Sequence, residues 1–216
     1  AMNTCTSVIE VNEGMHTMST SHGLFSLGLM SGSLIASFSY GWQINPGHHM
    51  ILLASLGILM ALWARSSIFT IHQAPVLGLD SIEERCKDVK PPGVKKEIFW
   101  MVVLSVCSNF TEGTMADWTA VYMKEVVQTN AYFIGWGLAA YSFCMALGRL
   151  MGDGIVPLLG PRNVLLMGAV MVFSGLLLAI VFPITIISIL GFALVGYGVS
   201  FSSPILYGSS ARIPGY

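Results

Sequence analysis

Gly148-Arg149-Leu150-Met151-Gly152-Asp153 lies between two long apolar stretches and is followed seven residues on by Gly160-Pro161-Arg162. The segment puts one acid and two arginines between flanks that read as lipid-immersed helices. Charges inside a bilayer are costly, so the economical reading is a short turn at the water interface with its charges paired. That reading decides the fold: apolar helices crossing a membrane, joined by polar turns.

Composition agrees. Of 216 residues, 54% are hydrophobic and 10% charged, and the mean hydropathy is +0.72. Soluble domains carry about 25% charged residues, so this surface cannot face water all round. A net charge of −1 leaves no footprint for nucleic acid. Cys5, Cys86, Cys107 and Cys144 share no metal-ligand or disulfide spacing. Ala1-Met2-Asn3 do not open a signal peptide, because no basic region precedes an apolar run.

A spanning helix needs about 20 apolar residues. Six segments qualify, near 23–42, 48–65, 98–123, 131–152, 164–182 and 184–208, and residues 1–13 read as the tail of another helix. The predicted fold class is therefore all-α and polytopic. The chain divides into three parts: 1–65, a polar linker at 66–97, and 98–216. Arg65, Arg85, Lys87, Lys90, Lys95 and Lys96 are six of the ten Lys and Arg residues, and all lie in or beside the linker. The positive-inside rule places the linker in the cytoplasm, and alternate threading then puts the Arg149–Arg162 turn and Arg212 on the same side. The acidic stretch Glu10–His16 departs from this pattern. Small residues at spacing four, Gly28, Gly32 and Ala36, and Gly148 with Gly152, predict faces where helices approach closely.

The 98–123 segment carries the most informative polar pattern. Glu112 lies mid-run, at a depth where a carboxylate costs about 2.5–3.5 kcal/mol and so needs a partner, water or a proton. At about 100° per residue, Ser108, Asn109, Glu112, Ala116 and Thr119 lie within about 60° of Ser105, while Val103, Val106, Cys107 and Phe110 lie opposite. A helix with one wet stripe faces a bundle interior or an aqueous path. Glu112 then reads as a substrate contact or a proton carrier, or as a buried structural acid. Asp117 points about 140° away and reads as an interfacial acid beside Trp118 and Tyr122. Asn3, Tyr141, Tyr197 and Tyr207 are weaker candidates to line a cavity. His48-His49 are not a metal site, no cofactor motif appears, and no arrangement for nucleophilic or acid–base catalysis argues for an enzyme.

The run Gly148-Arg149-Leu150-x-Gly152-Asp153-Gly154-x5-Gly160-Pro161-Arg162 resembles the cytoplasmic signature loop of the major facilitator superfamily, in its second-half copy between helices eight and nine. The basic linker resembles that superfamily's central loop. His22-Gly23-Leu24-Phe25-Ser26-Leu27-Gly28 and Ala116-Asp117-Trp118-Thr119-Ala120-Val121-Tyr122 resemble permeases of the fucose-permease neighbourhood. The signature departs in having Gly154 where a basic residue is usual and a single terminal arginine, Arg162. The resemblance implies a fragment running from late helix four to helix ten of a twelve-helix fold, with helices seven and ten lining a substrate cavity. Glu112, Asn109, Ser105, Ser108 and Thr119, with Asn3, Tyr197, Ser200, Ser203 and Tyr207, are then substrate- or proton-path candidates. Arg149, Gly152, Asp153, Gly160 and Arg162 would form a cytoplasmic gate.

The expected function is secondary active transport of a small polar solute by alternating access, coupled to protons. A drug or metabolite efflux permease of the same fold and a non-transporting membrane sensor are the alternatives. The expected partners are the solute, protons and the lipid bilayer, with no cofactor or metal. Nothing signals an oligomer, so a monomer is expected at full length. The expected setting is a multi-pass protein of a cell membrane, a bacterial inner membrane being the natural case.

Overall fold

The computed structural model describes residues 18–73 and 96–202, together with Ile205. Asn3, Ser203, Tyr207 and most of the basic linker lie outside the described residues. The described chain is helical, in the order α1 (Met18–Gly41), α2 (Pro46–Gln73), α3 (Lys96–Glu125), a 3-10 turn (Ala131–Phe133), α4 (Trp136–Leu159), α5 (Pro161–Val181) and α6 (Thr185–Val199). By length and composition, Thr20–Gly41, Pro46–Arg65, Ala131–Gly152 and Pro161–Val181 are four segments able to cross a bilayer. Apolar length alone leads one to expect six. α3 is long enough, but its polar stripe and its charged ends dilute its apolar character. α6 is described for only 15 residues, shorter than the expected 184–208.

The turn expected over Gly148–Arg162 contracts to one residue. α4 runs unbroken through Arg149, Gly152 and Asp153 to Leu159, even with Pro157 near its end. Gly160 then adopts φ +79°, in the left-handed region that glycine enters without strain, and Pro161 opens α5. Glycine and proline break the helix at 160–161. At 148–152 nothing does, because a helical glycine packed against a neighbour is tolerated.

α4, α5 and α6 form the core, and α1 lies along α4. Met115, Met123, Leu138, Tyr141, Met145, Ala179, Phe192, Val195 and Val199 make the main buried cluster. Val164, Phe201 and Ile205 make a second one. Backbone meets backbone where side chains are absent. A Cβ on Gly175 would strike the Gly191 carbonyl, one on Gly168 the Gly198 carbonyl, and one on Gly196 the Tyr141 carbonyl. Both α5–α6 pairs are seven residues apart, two helical turns, so one glycine face runs along the contact.

The contact of α1 with the 3-10 turn and the residue that precedes α4 is polar. Ser37 Oγ donates to the Tyr132 carbonyl at 2.7 Å and accepts from the Gly135 N–H at 3.0 Å, and Ser33 Oγ donates to the Gly135 carbonyl at 2.7 Å. Gly23, Ser26, Ser33 and Ser37 therefore make the face of α1 that meets α4. Gly28 and Gly32 meet nothing among the described residues. The face expected at 28, 32 and 36 is not the one that meets α4. Gly28 stands about 200° around the helix from Ser26, so close spacing of small residues did not fix which side they occupy.

Outward surfaces are apolar. On α2, every residue from Ile51 to Trp63 is exposed, including Ile51, Leu52, Leu56, Leu59 and Trp63. Leu24, Phe110, Phe173 and Ile186 add to this surface from α1, α3, α5 and α6. Such continuous apolar exposure suits lipid or further helices rather than water.

Gly196→Val should lower stability in detergent by about 1–3 kcal/mol, because the new side chain drives α6 off the Tyr141 backbone. Gly28→Val should lower it by less than half as much. Thermal unfolding of the purified full-length protein checks the ranking, and equal losses would contradict it.

Candidate functional site

Arg149 is the least expected residue in the structure. It lies in α4 about 20 Å along the axis from Trp136 and about 15 Å from Leu159, well away from either end. Its side chain is only 3% exposed. An arginine cannot shed its proton in a protein, so burial leaves a permanent cation that must be paired.

Three contacts answer that need. Nη2 donates to Glu112 Oε1 at 2.8 Å, closing an ion pair between α4 and α3. Nη1 donates to Ser26 Oγ at 2.7 Å and to the His22 carbonyl at 3.3 Å, both on α1. Ser26 is fully buried and donates in turn to the same His22 carbonyl at 3.1 Å. One guanidinium thus joins three helices. Glu112, mid-helix in α3, keeps 26% of its side chain exposed, so the acid is the wetter partner. Nε of Arg149 finds no acceptor among the described residues, and the buried Nε2 of His22 and hydroxyl of Tyr141 find no partner either. His22 and Tyr141 both lie within electrostatic reach of the pair.

The rest of the α3 stripe divides along its length. Asn109 is exposed and turns its amide back to the Ser105 carbonyl at 2.8 Å. Ser108 shares a hydrogen bond with Ser202 at 2.6 Å, beyond the end of α6. Thr119 is buried, with its methyl against the position where a Gly137 side chain would stand. The stripe runs from an open end at Ser105 to a closed end at Thr119, and Glu112 lies between.

Other candidates fall elsewhere. Tyr197 stacks edge-on against Phe201 at 5.2 Å between ring centres, and Ser200 is buried where a Cβ on Gly148 would stand. These residues pack α6 against α4. Gly152 is buried within α4, Asp153 continues that helix, Gly160 makes the turn, and Arg162 is exposed in the first turn of α5. Arg149 is separated from Arg162 by more than three helical turns and is held by α1 and α3 instead.

Residue spacing along α3 indicates that Glu112 needs a partner. Placing Arg149 in a loop hides that it is the partner. One signal in the chain points the other way: from Trp136 to Leu159 no adjacent glycine–proline pair like Gly160-Pro161 interrupts the sequence.

Apolar helices around a buried arginine–glutamate pair define a polytopic membrane protein with a polar interior. The chain is 31% identical to an uncharacterised MFS-type transporter of Yersinia pestis over 96% of its own length and 51% of the relative's. It is 26% identical to an uncharacterised transporter of Sinorhizobium fredii over 98% of its length and 54% of the relative's. It is 26% identical to the membrane protein MosC of Rhizobium meliloti over 98% of its length and 49% of the relative's. The chain spans about half the length of the curated relatives it matches. No family model matches it. No solved structure matches it. Over nearly its whole length the chain is thus similar to half of an MFS-type transporter.

Removing one member of the pair should cost unequally. Glu112→Leu strands a buried cation and should lose about 3–5 kcal/mol of stability. Arg149→Met should lose less, because Glu112 retains contact with solvent. The double variant should recover most of the loss, read as thermal stability in detergent, whereas strictly additive losses would mean that the pair is not coupled.

Proposed function

We propose that the protein is a proton-coupled symporter that moves a small polar solute by alternating access. The observation that carries this is the Arg149–Glu112 pair: a carboxylate mid-helix in α3, partly exposed, held by an arginine that also grips α1. If residues 1–65 belong to one half of the transporter and 98–216 to the other, the bonds from Arg149 to Ser26 and His22 cross between halves. The bond to Glu112 stays within one half. Rocking of the halves breaks the first set and leaves the second. Protonation of Glu112 removes the charge that holds Arg149, so proton binding alters a contact between the halves. That is the coupling a symporter requires. In this reading Ser105, Ser108 and Asn109 lead from the open end of the stripe to Glu112, and Thr119 closes it. The turn at Gly160, with Asp153 and Arg162 flanking it, serves as the cytoplasmic gate. The linker at 66–97 is cytoplasmic, and the protein is a monomer in a cell membrane.

Full-length protein in proteoliposomes carrying an entrapped pH dye tests the coupling. Addition of a transported solute should drive proton entry in the wild type and none in Glu112→Gln. Unchanged proton entry in that variant would remove Glu112 as the carrier.

Cys86 tests the orientation, since it lies within the linker. In a variant keeping only this cysteine, a membrane-impermeant maleimide should label inside-out vesicles and spare intact cells. The reverse pattern would invert the topology.

A further inference from the structure

The guanidinium of Arg149 is only partly used. Nη1 is committed to α1 through Ser26 and the His22 carbonyl. The opposite edge of the group presents Nε and Nη2 side by side, the fork that receives a carboxylate through two parallel hydrogen bonds. Glu112 takes only half of that fork. A single oxygen, Oε1, bonds Nη2 at 2.8 Å, and Nε has no acceptor among the described residues. The residue bearing this half-used edge is 3% exposed, so the unmet donor lies inside the bundle. The anchoring through α1 fixes the direction of the fork, because Ser26 is itself fully buried and hydrogen-bonded. The buried Tyr141 hydroxyl and His22 Nε2, also without partners among the described residues, add polar groups within electrostatic reach of the fork.

We infer that the Nε–Nη2 edge of Arg149 is a binding subsite for a small solute carrying a carboxylate, which replaces Glu112 on the fork when that acid is protonated. The charge count supports the exchange. With Glu112 ionised, Arg149 faces one internal carboxylate. When a proton binds Glu112 and an anion enters, Arg149 again faces one carboxylate, and the site keeps the same net charge. Neither event is favourable alone: a proton without the anion strands a buried cation, and an anion without the proton puts two carboxylates at one arginine. The two therefore enter together. Coupling of this exchange to transport rests on the proposed symporter function, whereas binding itself is measured separately.

Glu112→Gln stands in for the protonated acid. Full-length protein in nanodiscs is titrated with acetate, lactate and gluconate and with the matching neutral amides, at one pH, and thermal stabilisation gives the apparent affinity. At least one carboxylate should bind at least tenfold more tightly to Glu112→Gln than to the wild type. Its amide should show no such gain. Arg149→Lys, which keeps the charge and loses the fork, should abolish the gain. If no carboxylate outperforms its amide in Glu112→Gln, the subsite does not exist, and that result also covers the case in which another segment of the chain fills the fork. Equal carboxylate gains in Glu112→Gln and in Glu112→Gln/Arg149→Lys would likewise overturn it, since the fork would not be the receptor. Carboxylate binding without solute-driven proton entry would uphold the subsite and count against the transporter reading. Proton entry driven only by neutral solutes, without carboxylate binding, would do the opposite.

Discussion

The buried cation of Arg149 is the constraint on which the interior of this protein is organised. A guanidinium that keeps 3% of its surface cannot rely on water, and its charge cannot be titrated away. It has to be met by groups from neighbouring helices. α3 supplies a carboxylate, and α1 supplies a hydroxyl and a carbonyl. These contacts hold α1 and α3 against α4 at mid-helix, where purely apolar packing in lipid has little directional preference. The result is a junction in which one charge ties three helices together.

The remainder of the bundle gives that junction a rigid setting. Gly168 and Gly175 on α5 meet Gly198 and Gly191 on α6 with backbone against backbone, and Gly196 rests on the Tyr141 carbonyl of α4. At the other end of α4, Ser33 and Ser37 hold the Tyr132–Gly135 backbone to α1. α2 contributes little to this core and presents apolar side chains on all sides. The likeness to an MFS-type transporter accords with such a division between a polar interior and a greasy exterior.

Particular residues show how far the chain can be read without its fold. The stripe Ser105–Thr119 is legible because a single helix sets its own periodicity, and Glu112 announces its need by its depth. The helices themselves are legible from their apolar lengths, although α2 runs to Gln73 and α4 to Leu159, eight and seven residues past the expected ends. Gly28 and Gly32 mark a limit, since spacing shows that small residues share a face but not which helix that face meets. Arg149 misleads for a related reason. Near Asp153 and Arg162 in sequence, it resembles part of a charged turn, yet three further helical turns carry the chain from Arg149 to the Gly160 break.

The properties that the sequence determined by itself are therefore local and compositional: an all-helical membrane chain, its glycine-proline break at 160–161, and a wet face on α3 with an acid at its centre. Those properties depend on residues a few positions apart, within the reach of one helix. Tertiary structure decided which charge answers Glu112, which glycines touch, and that one arginine spans three helices. Arg149 and Glu112 are 37 residues apart and Arg149 and Ser26 are 123 apart. Contacts of that kind exist only once the helices have packed, because the cost of a lone buried charge, not proximity in the chain, selects the partner.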